Sequence, residues 1–394
     1  EPSDQPNVMT RDSATGKSTV RAIKLRAPLA FDGRLDDEVY AQYPGFDGMV
    51  QVAPQYGVDP TEKTEIWVMF DGDNIYVAAR IHDSAPPDKW IANELRRDTN
   101  QMRQNDHFGV GFDTFYDRRS GYMFYANPLG GFADYSVVDE GQPNTDWNPV
   151  WNARTGRFDG GWTLEMQFPF KSLRYKSGDQ QVWGIQFRRS VRRKNEWSYW
   201  TPIPRNVAGP QALNRVSMFG TVVGLDLPAA GRNLELKPYA LGKMTTDRLT
   251  NPPRSSDRDG DVGGDVKYGI TANLTADLTV NTDFAQVEID EQQVNLTRFN
   301  LFLPEKREFF LEGRGLFDFG RGGGGGGGGE FGGGGGSDTP SLFYTRRIGL
   351  NRGRVVPIDV GGRLTGKIGA FGIGLMNIHA GDETAARTPA TNFT

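Results

Sequence analysis

The sequence predicts an all-β protein in which an antiparallel β-sandwich is followed by the N-terminal part of an antiparallel outer-membrane β-barrel. Three observations support this fold class. Short runs rich in β-branched and aromatic residues recur along the first half, and turn residues separate them. From about residue 226 the runs lengthen and alternate more cleanly between apolar and polar residues. No stretch of about 18 apolar residues predicts a membrane-spanning helix.

The sandwich is expected over residues 21–225, after a polar and flexible N-terminus over residues 1–20. Runs such as TEIWVMF at 64–70 and NIYVAAR at 74–80 flank the turn DGD at 71–73, which is typical of a hairpin. Further strands are expected at 108–112, 122–126, 162–168 and 182–187. One short helix is expected over 36–40, with Asp36 as its N-cap.

The incomplete barrel is expected over residues 226–394. In the run 273–281 the apolar residues Leu274, Ala276, Leu278 and Val280 alternate with polar ones, as in a strand with lipid on one face and water on the other. A soluble, half-buried sheet produces the same alternation. The glycine-rich tract at 322–336 is expected to be a flexible loop.

The barrel region contains only about four to six convincing strands, whereas known single-chain bacterial barrels have at least about eight. We therefore expect a partial sheet with an open edge. Its apolar face should include Leu274, Leu278, Phe371 and Ile373. We also expect the natural chain to continue past Thr394.

The composition excludes several classes of function. A formal net charge of -4 gives no reason to expect nucleic-acid binding. The absence of cysteine excludes disulfides, thiolate metal sites and a cysteine nucleophile. The basic runs at 188–189 and 192–194 are interpreted as a solvated strand face. His82, His107 and His379 lack metal-binding spacing and are interpreted as ordinary surface or strand residues.

Two segments resemble known families. The first is FDGRLDDEVY at 31–40, which resembles the opening motif of family 9 carbohydrate-binding modules; the later strands, up to Phe219-Gly220, follow that module's order over residues 24–225. The second comprises VNTDFAQVE at 280–288, QVNLTRF at 293–299 and PEKREFFLEG at 304–313. It resembles the DUF5916 type of bacterial outer-membrane protein, in which such a module is joined to a large barrel. The resemblance implies export to the cell envelope, and localisation to the outer membrane or periplasm.

Sugar-binding modules stack aromatic rings on the apolar faces of sugars and use polar side chains for the hydroxyls. The candidate residues for such a site are Trp147, Trp151, Trp90, Tyr116, Arg103 and Asp106. Tyr122, Trp197 and Trp200 are further aromatic candidates, whereas Trp162 and Trp183 lie within strand runs and are predicted core residues. Structural packing is the alternative role for each loop tryptophan.

The chain departs from the resembled family at the two tryptophans that clamp the sugar. Arg103 lies near the position of the first clamp residue, just before the strand that begins at Asp106. The second clamp position falls at residues 213–215, which are Leu-Asn-Arg. A fold can be kept while its binding site is lost or moved.

Other chemistry has weaker support. The acidic turn at 71–74 could supply oxygen ligands to calcium but lacks the rest of an EF-hand loop, so a plain hairpin turn is the simpler interpretation and no cofactor is expected. A glycosidase needs two carboxylates facing each other across a cleft. No Gly-x-Ser-x-Gly motif supports serine catalysis, and no catalytic residue is assigned.

Three functions remain open. The first is binding of a glycan, or of an exported protein, at the bacterial outer membrane, with the barrel as anchor or pore and a role in carbohydrate catabolism. The second is a component of an O-glycosyl hydrolase system, because modules of this kind accompany such enzymes. The third is a periplasmic gate domain that binds no sugar.

Overall fold

The chain divides into two compact units, Glu1–Gly231 and Arg232–Thr394, in a computed structural model. The structure describes residues 3–138, 140, 143–145, 147–175, 180–209, 211–227, 234–247, 254–271, 274–282, 307–311, 317, 345, 348–351, 354–368, 371–382 and 388–394. The predicted glycine-rich loop at 322–336 lies outside these residues. No helix in the described part of the chain is long and apolar enough to cross a membrane.

The first unit consists mainly of strands. They are β1 (Met9–Arg11), β2 (Ser18–Arg21), β3 (Ile23–Lys24), β4 (Val50–Ala53), β5 (Thr64–Phe70), β6 (Asn74–His82), β7 (His107–Asp113), β8 (Gly121–Ala126), β9 (Phe132–Val137), β10 (Asn152–Phe158), β11 (Gly161–Pro169), β12 (Gln181–Val191), β13 (Glu196–Tyr199) and β14 (Gly220–Leu225). One helix, α1 (Glu38–Gln42), follows β3. Turns of 3-10 helix occur at Pro87–Lys89, Asn100–Gln104, Phe170–Ser172, Arg192–Lys194, Ala212–Asn214 and Val216–Met218.

The described strands of this unit form two sheets. The longer sheet has the order β1-β2-β14-β12-β7-β8-β9, and β13 and β4 extend it beside β12. The shorter sheet has the order β10-β11-β6-β5-β3. The pairs β2–β14 and β3–β5 are parallel, and the others described are antiparallel. The prediction of an all-β, mainly antiparallel sandwich is therefore confirmed.

The main core lies between the two sheets, because alternate residues on both are apolar. Phe168 of β11 contacts Phe124 of β8 and Phe112 of β7, with ring centroids 4.5 and 5.2 Å apart. Trp162 and Trp183 are 2% and 0% exposed, which confirms their prediction as core residues. This core fixes which face of the longer sheet points inward and which points outward.

Residues 3–20 are part of the fold, so the prediction of a flexible segment over residues 1–20 is wrong for them. β1 and β2 pair at the edge of the longer sheet. Asn7 is buried, and its side-chain amide donates hydrogen bonds to the carbonyl oxygens of Pro44 (2.9 Å) and Ile66 (3.2 Å). Its Oδ1 accepts the N–H of Val68 at 3.3 Å. Asn7 is polar yet buried because its side chain bonds to the backbone, which composition alone does not reveal.

The motif at 31–40 is anchored to the shorter sheet through one buried carboxylate. The N–H of Gly33 and the hydroxyl of Tyr40 donate to the two carboxylate oxygens of Glu165, at 2.7 and 2.6 Å. Gly33 has a φ of +86°, and a Cβ there would lie 2.8 Å from the carbonyl carbon of Thr155. The motif therefore has a structural role in which only glycine fits.

Helix α1 begins slightly later than expected. Its N-cap is Asp37 rather than Asp36, and the Asp37 side chain makes no capping hydrogen bond. Tyr40, within the helix, packs its ring edge-on against Trp67, with centroids 5.4 Å apart. Packing and the bond to Glu165 therefore hold this short helix in place of a cap.

The second unit is built around one sheet in its described part. Its strands are β15 (Leu234–Asp247), β16 (Arg254–Thr271), β17 (Leu274–Val280), β20 (Ile358–Ile368), β21 (Phe371–Ala380) and β22 (Thr391–Phe393), in this order. A separate short pair is β18 (Leu350–Asn351) with β19 (Arg354–Val355), and a helical turn, α2, spans Glu308–Leu311. Among the described residues β15 does not pair with β22, so no closed barrel is formed and the barrel stays a prediction.

One face of this sheet is apolar and largely exposed. Leu278 of β17 is 45% exposed and Phe371 of β21 is 76% exposed, in line with the predicted apolar face. Ile373 is half-buried, whereas Leu274, expected on the same face, is buried. Further exposed apolar residues on the strands are Leu234, Leu236, Met244, Val262, Ile270, Val280, Val360, Ile368 and Leu375.

The opposite face is polar and partly covered. Strand register places Glu235, Lys267, Asp277 and Arg363 in one row across four neighbouring strands, with alternating charge. Arg363 and Asp277 form an ion pair of 2.8 Å, and their side chains are 1% and 6% exposed. The guanidinium of Arg363 also lies 5.2 Å from the ring centroid of Phe309 in α2. The sheet thus buries charge and exposes apolar residues, the reverse of a sheet on a water-soluble core.

Candidate functional site

The outer face of the longer sheet, which points away from the main core, holds a polar and aromatic cluster. Alternation along β7, β8, β9 and β12 places His107, Tyr125, Tyr135 and Arg188 on this face. Two glycines of β7 make room for it. A Cβ on Gly109 would lie 2.5 Å from the ring of Tyr125, and one on Gly111 would lie 2.6 Å from Phe219. We define the Arg188 cluster as His107, Tyr125, Tyr135, Arg188, Trp197, Tyr199 and Asn214.

Arg188 lies at the centre of this cluster and is fully buried, at 0% exposure. Its Nη2 donates to Nε2 of His107 at 2.8 Å, and Nδ1 of His107 lies 2.8 Å from the carbonyl oxygen of Asn105. Because a guanidinium only donates and a carbonyl only accepts, these partners assign the His107 proton to Nδ1. Burial, together with the guanidinium of Arg188, lowers the pKa of His107 well below its usual value, so the ring is neutral.

Cations stack on the aromatic rings of the cluster. The guanidinium carbon of Arg188 lies 4.4 Å from the ring centroid of Tyr125 and 5.1 Å from that of Trp197. The guanidinium carbon of Arg192 lies 5.5 Å from the ring centroid of Trp197. Distances of this size permit cation–π attraction, which is strongest where water is excluded.

Tyrosine hydroxyl groups link strands of the cluster to segments that lie far away along the chain. The hydroxyls of Tyr125 and Tyr135 are 2.5 Å apart, and Tyr135 donates to Oδ1 of Asn214 at 2.7 Å. Burial raises the pKa of Tyr135 well above its usual value, so its hydroxyl stays protonated and can donate. The hydroxyl of Tyr199 donates to the carbonyl oxygen of Gly209 at 2.7 Å.

Of the sequence candidates, Arg103 and Trp197 lie at this cluster. The guanidinium of Arg103 lies 5.5 Å from the ring centroid of Tyr135. Tyr135 thereby contacts both Arg103 and Asn214, the two places where the sequence departs from the resembled family's clamp. The fold brings these distant parts of the chain together although neither retains a tryptophan.

Trp151 lies in the main core, contrary to the exposed stacking position expected for it. It is 3% exposed, and its ring stacks on Phe168 with centroids 5.3 Å apart. Its Nε1 donates to Oδ2 of Asp134 at 2.8 Å. A ring held on both faces and at its N–H cannot stack on a ligand without disrupting the core.

Trp147 and Trp90 are half-buried and engaged with protein side chains. Trp147 stacks on Tyr122, with centroids 4.6 Å apart and planes inclined by 22°. Trp90 donates from Nε1 to the carbonyl oxygen of Ala85 at 3.0 Å and has the guanidinium of Arg157 over its ring at 5.7 Å. Both rings pack against the main core, on the opposite face of the longer sheet from the Arg188 cluster.

Tyr116 and Asp106 have other partners. Tyr116 is 38% exposed, but the guanidinium of Arg118 covers its ring at 4.1 Å. Asp106 is buried, and its carboxylate accepts the backbone N–H groups of Ile91 (2.7 Å) and Arg192 (2.6 Å). Burial raises the pKa of Asp106. The structure therefore gives Asp106 the role of joining two loops rather than facing a ligand.

The interpretation of residues 188–189 as a solvated face is wrong. Arg189 is buried like Arg188, and donates to backbone carbonyls, among them Lys63 O at 2.9 Å. His107, taken as an ordinary strand residue, is the acceptor for Arg188. Sequence reasoning missed the cluster because the outer face is covered by a segment, 212–219, that lies far from β7 and β8 along the chain. The sequence feature that could have revealed the cluster is the alternation that places polar and aromatic residues on one face of four neighbouring strands.

Two neighbouring buried carboxylates, Glu62 and Asp83, are joined by a cation. Arg193 Nη2 contacts Glu62 at 2.7 Å and Asp83 at 2.6 Å, and both acids are buried. Such an ion pair is a structural link and leaves no room for the water or sugar that a glycosidase places between its carboxylates.

The acidic turn is also closed by hydrogen bonds. Oδ1 of Asp71 accepts the N–H groups of Asp73 and Asn74, at 2.8 and 2.7 Å, and Oδ2 accepts the hydroxyl of Tyr76 at 2.8 Å. In the described residues no group of three or more histidine or acidic side chains could hold a metal ion.

Comparison with known proteins finds a family match over part of the chain and similar solved structures. Residues 231–322 match the family "Domain of unknown function (DUF5916)", which confirms the resemblance predicted for this stretch. No curated protein matches the chain.

Three solved structures are among those similar to this chain. A family 9 carbohydrate-binding module from Caldicellulosiruptor kristjanssonii, in complex with glucose, shares 16% identity and a TM-score of 0.36, over 55% of this chain and 98% of its own. The same module in complex with cellotriose shares 16% identity and a TM-score of 0.35, over 53% and 94%. A putative carbohydrate-binding protein from Bacteroides uniformis shares 12% identity and a TM-score of 0.42, over 52% and 98%.

Proposed function

We propose that the first unit binds a glycan at the Arg188 cluster, and that the second unit holds the protein in a bacterial outer membrane. The observation that supports glycan binding is the contact of Tyr135 with both Arg103 and Asn214. The clamp tryptophans of the resembled family fall near these two positions, where this chain has neither tryptophan, and the fold brings the two positions to one aromatic ring.

The chemistry of the cluster suits a sugar. Its hydroxyl, amide and guanidinium groups are of the kind that bond sugar hydroxyls, whereas the rings of Tyr125, Tyr135 and Trp197 are buried and have guanidiniums over them. The cluster centre is buried, whereas Arg103 and Arg192 at its edge are half-buried and Gln104 is exposed. A ligand therefore reaches the cluster first through this edge.

The reversed polarity of the sheet in the second unit supports the proposal that this unit lies in a membrane. Apolar residues such as Leu278, Phe371 and Leu375 are exposed on one face, whereas the Asp277–Arg363 pair is buried on the other. In hydrocarbon the exposure of these apolar side chains costs little free energy, because lipid covers them. In water the exposed face would form a large apolar patch of the kind that causes aggregation.

A glycan array tests the binding proposal. The full chain in mild detergent is applied to an array of neutral and acidic oligosaccharides. We expect retention on at least one glycan and loss of retention for Asn214→Leu, which removes the acceptor of Tyr135. Asn152→Leu, at an exposed position on β10, is the matched control and should bind like the wild type. Absence of binding to every glycan would leave the domain with a structural role, as in a gate.

A further inference from the structure

Two arginines, Arg103 and Arg192, lie near each other at the edge of the Arg188 cluster. Arg103 lies in the 3-10 turn Asn100–Gln104, and Arg192 follows β12 directly. Nη2 of Arg192 donates to Oε1 of Gln104, the residue next to Arg103, at 3.0 Å. The two guanidiniums lie over the rings of Tyr135 and Trp197, each at 5.5 Å.

These two arginines differ from their sequence neighbours in their charge partners. Arg96, Arg97 and Arg193 form ion pairs with Glu94, Asp98, Asp134, Glu62 and Asp83. Among the ion pairs between described residues, none includes Arg103 or Arg192. The carboxylate of Asp106 accepts the backbone N–H of Arg192 and not its guanidinium.

Positive charge is also in excess around His107. After burial, the guanidiniums of Arg188, Arg192 and Arg103 each lower the pKa of this ring. His107 is therefore neutral and adds a hydrogen-bond acceptor rather than a further charge. The cluster presents cationic groups stacked on aromatic rings, with half-buried ones at its edge.

We propose that the glycan bound at this cluster is acidic, and that Arg103 and Arg192 bind its carboxylate or sulfate group. This inference rests on the proposed glycan function and names its substrate class. A guanidinium is a planar fork that matches an oxyanion with two parallel hydrogen bonds. The aromatic rings below the guanidiniums hold them in place, so little side-chain entropy is lost on binding.

Matched oligosaccharides test the charge requirement. Titration calorimetry on the full chain compares an oligosaccharide that ends in glucose with two counterparts of the same linkage, which end in glucuronic acid and in glucose 6-sulfate. We expect at least one acidic form to bind at least about tenfold more tightly than the neutral one. The form that binds more tightly identifies the oxyanion.

Variants assign that preference to the two arginines. Arg103→Gln and Arg192→Gln should each reduce the acidic-over-neutral preference to below about threefold. Arg103→Lys keeps the charge and should retain part of it. Arg154→Gln is the matched control, because Arg154 also lies over an aromatic ring, that of Phe31 at 5.7 Å, but on the shorter sheet. An unchanged tryptophan emission spectrum shows that each variant is folded.

The salt dependence of the wild type gives a test that needs no variant. Raising the salt concentration from 50 to 500 mM, about a threefold shortening of the screening length, should weaken binding of the acidic sugar and leave the neutral one nearly unchanged. Equal affinity for the acidic and neutral forms overturns this inference and leaves the glycan proposal standing. Binding of neither form contradicts both.

Discussion

Arg188 donates a hydrogen bond from Nη2 to Nε2 of His107 over 2.8 Å, and both side chains are buried on the outer face of the longer sheet. A buried guanidinium needs acceptors, because its desolvation otherwise costs several kcal/mol. Here a neutral histidine supplies one, and the rings of Tyr125 and Trp197 stabilise the cation further. The pair therefore links the stability of the sheet to the chemistry of the candidate site.

Loss of the His107 ring should destabilise the first unit. In His107→Leu the guanidinium of Arg188 loses an acceptor inside the protein, and the free energy of unfolding should fall by about 3 kcal/mol. All eight tryptophans lie in the first unit, so tryptophan fluorescence during urea unfolding of the full chain reports this unit alone. His82→Leu is the control, since His82 forms a partly exposed pair with Glu65 and its loss should cost under about 1 kcal/mol. Equal effects of the two changes would contradict the role given to His107.

Asp134 should make the stability of the first unit depend on pH. Burial raises the pKa of Asp134 to about 7, and the carboxylate of Asp98 acts in the same direction, against the hydrogen bond from Trp151. A carboxyl whose folded pKa is raised holds its proton more tightly in the folded state. Its contribution to stability is therefore complete below the unfolded pKa of about 4, and is lost as pH rises through about 7.

The measurement is the urea midpoint at pH 5 and pH 8, followed by tryptophan fluorescence. The wild type should lose on the order of 1–3 kcal/mol between these two values, and Asp134→Asn should lose much less. Asp73→Asn, on an exposed turn, should behave like the wild type. If Asp134→Asn keeps the full loss, another group is responsible.

Much of the fold follows from residue pattern, whereas the site does not. The run TEIWVMF and the turn after it correspond to β5 and the β5–β6 hairpin, because alternation and turn chemistry are local properties. Trp162 and Trp183 are core residues for the same reason. Burial of Trp151 or Arg188 depends on segments far along the chain, and local pattern cannot show which tryptophan or arginine is covered.

Lysine on the apolar face of the second unit should prevent membrane insertion. Leu278→Lys and Phe371→Lys each place a charge where hydrocarbon is proposed, at a cost of about 2–4 kcal/mol near the centre of the bilayer. The full chain is refolded from urea with phospholipid vesicles, and the fraction that floats with them in a density gradient is measured. That fraction should fall for both variants and stay unchanged for Asp382→Lys, an exposed position after β21. Equal flotation of the wild type and the two lysine variants would refute the assignment of this face to lipid.

The most direct test of the glycan site compares its two rival locations on one ligand. The affinity of the full chain for the best glycan from the array is measured for Tyr135→Phe, Asn214→Leu and Trp147→Ala by titration calorimetry. The first two remove the Tyr135 hydroxyl and its acceptor on the outer face of the longer sheet, whereas Trp147 packs on the inner one. We predict a loss of about tenfold or more for the outer-face variants and under about threefold for Trp147→Ala. The opposite result, in which Trp147→Ala abolishes binding while Tyr135→Phe and Asn214→Leu bind normally, would contradict the site proposed at the Arg188 cluster.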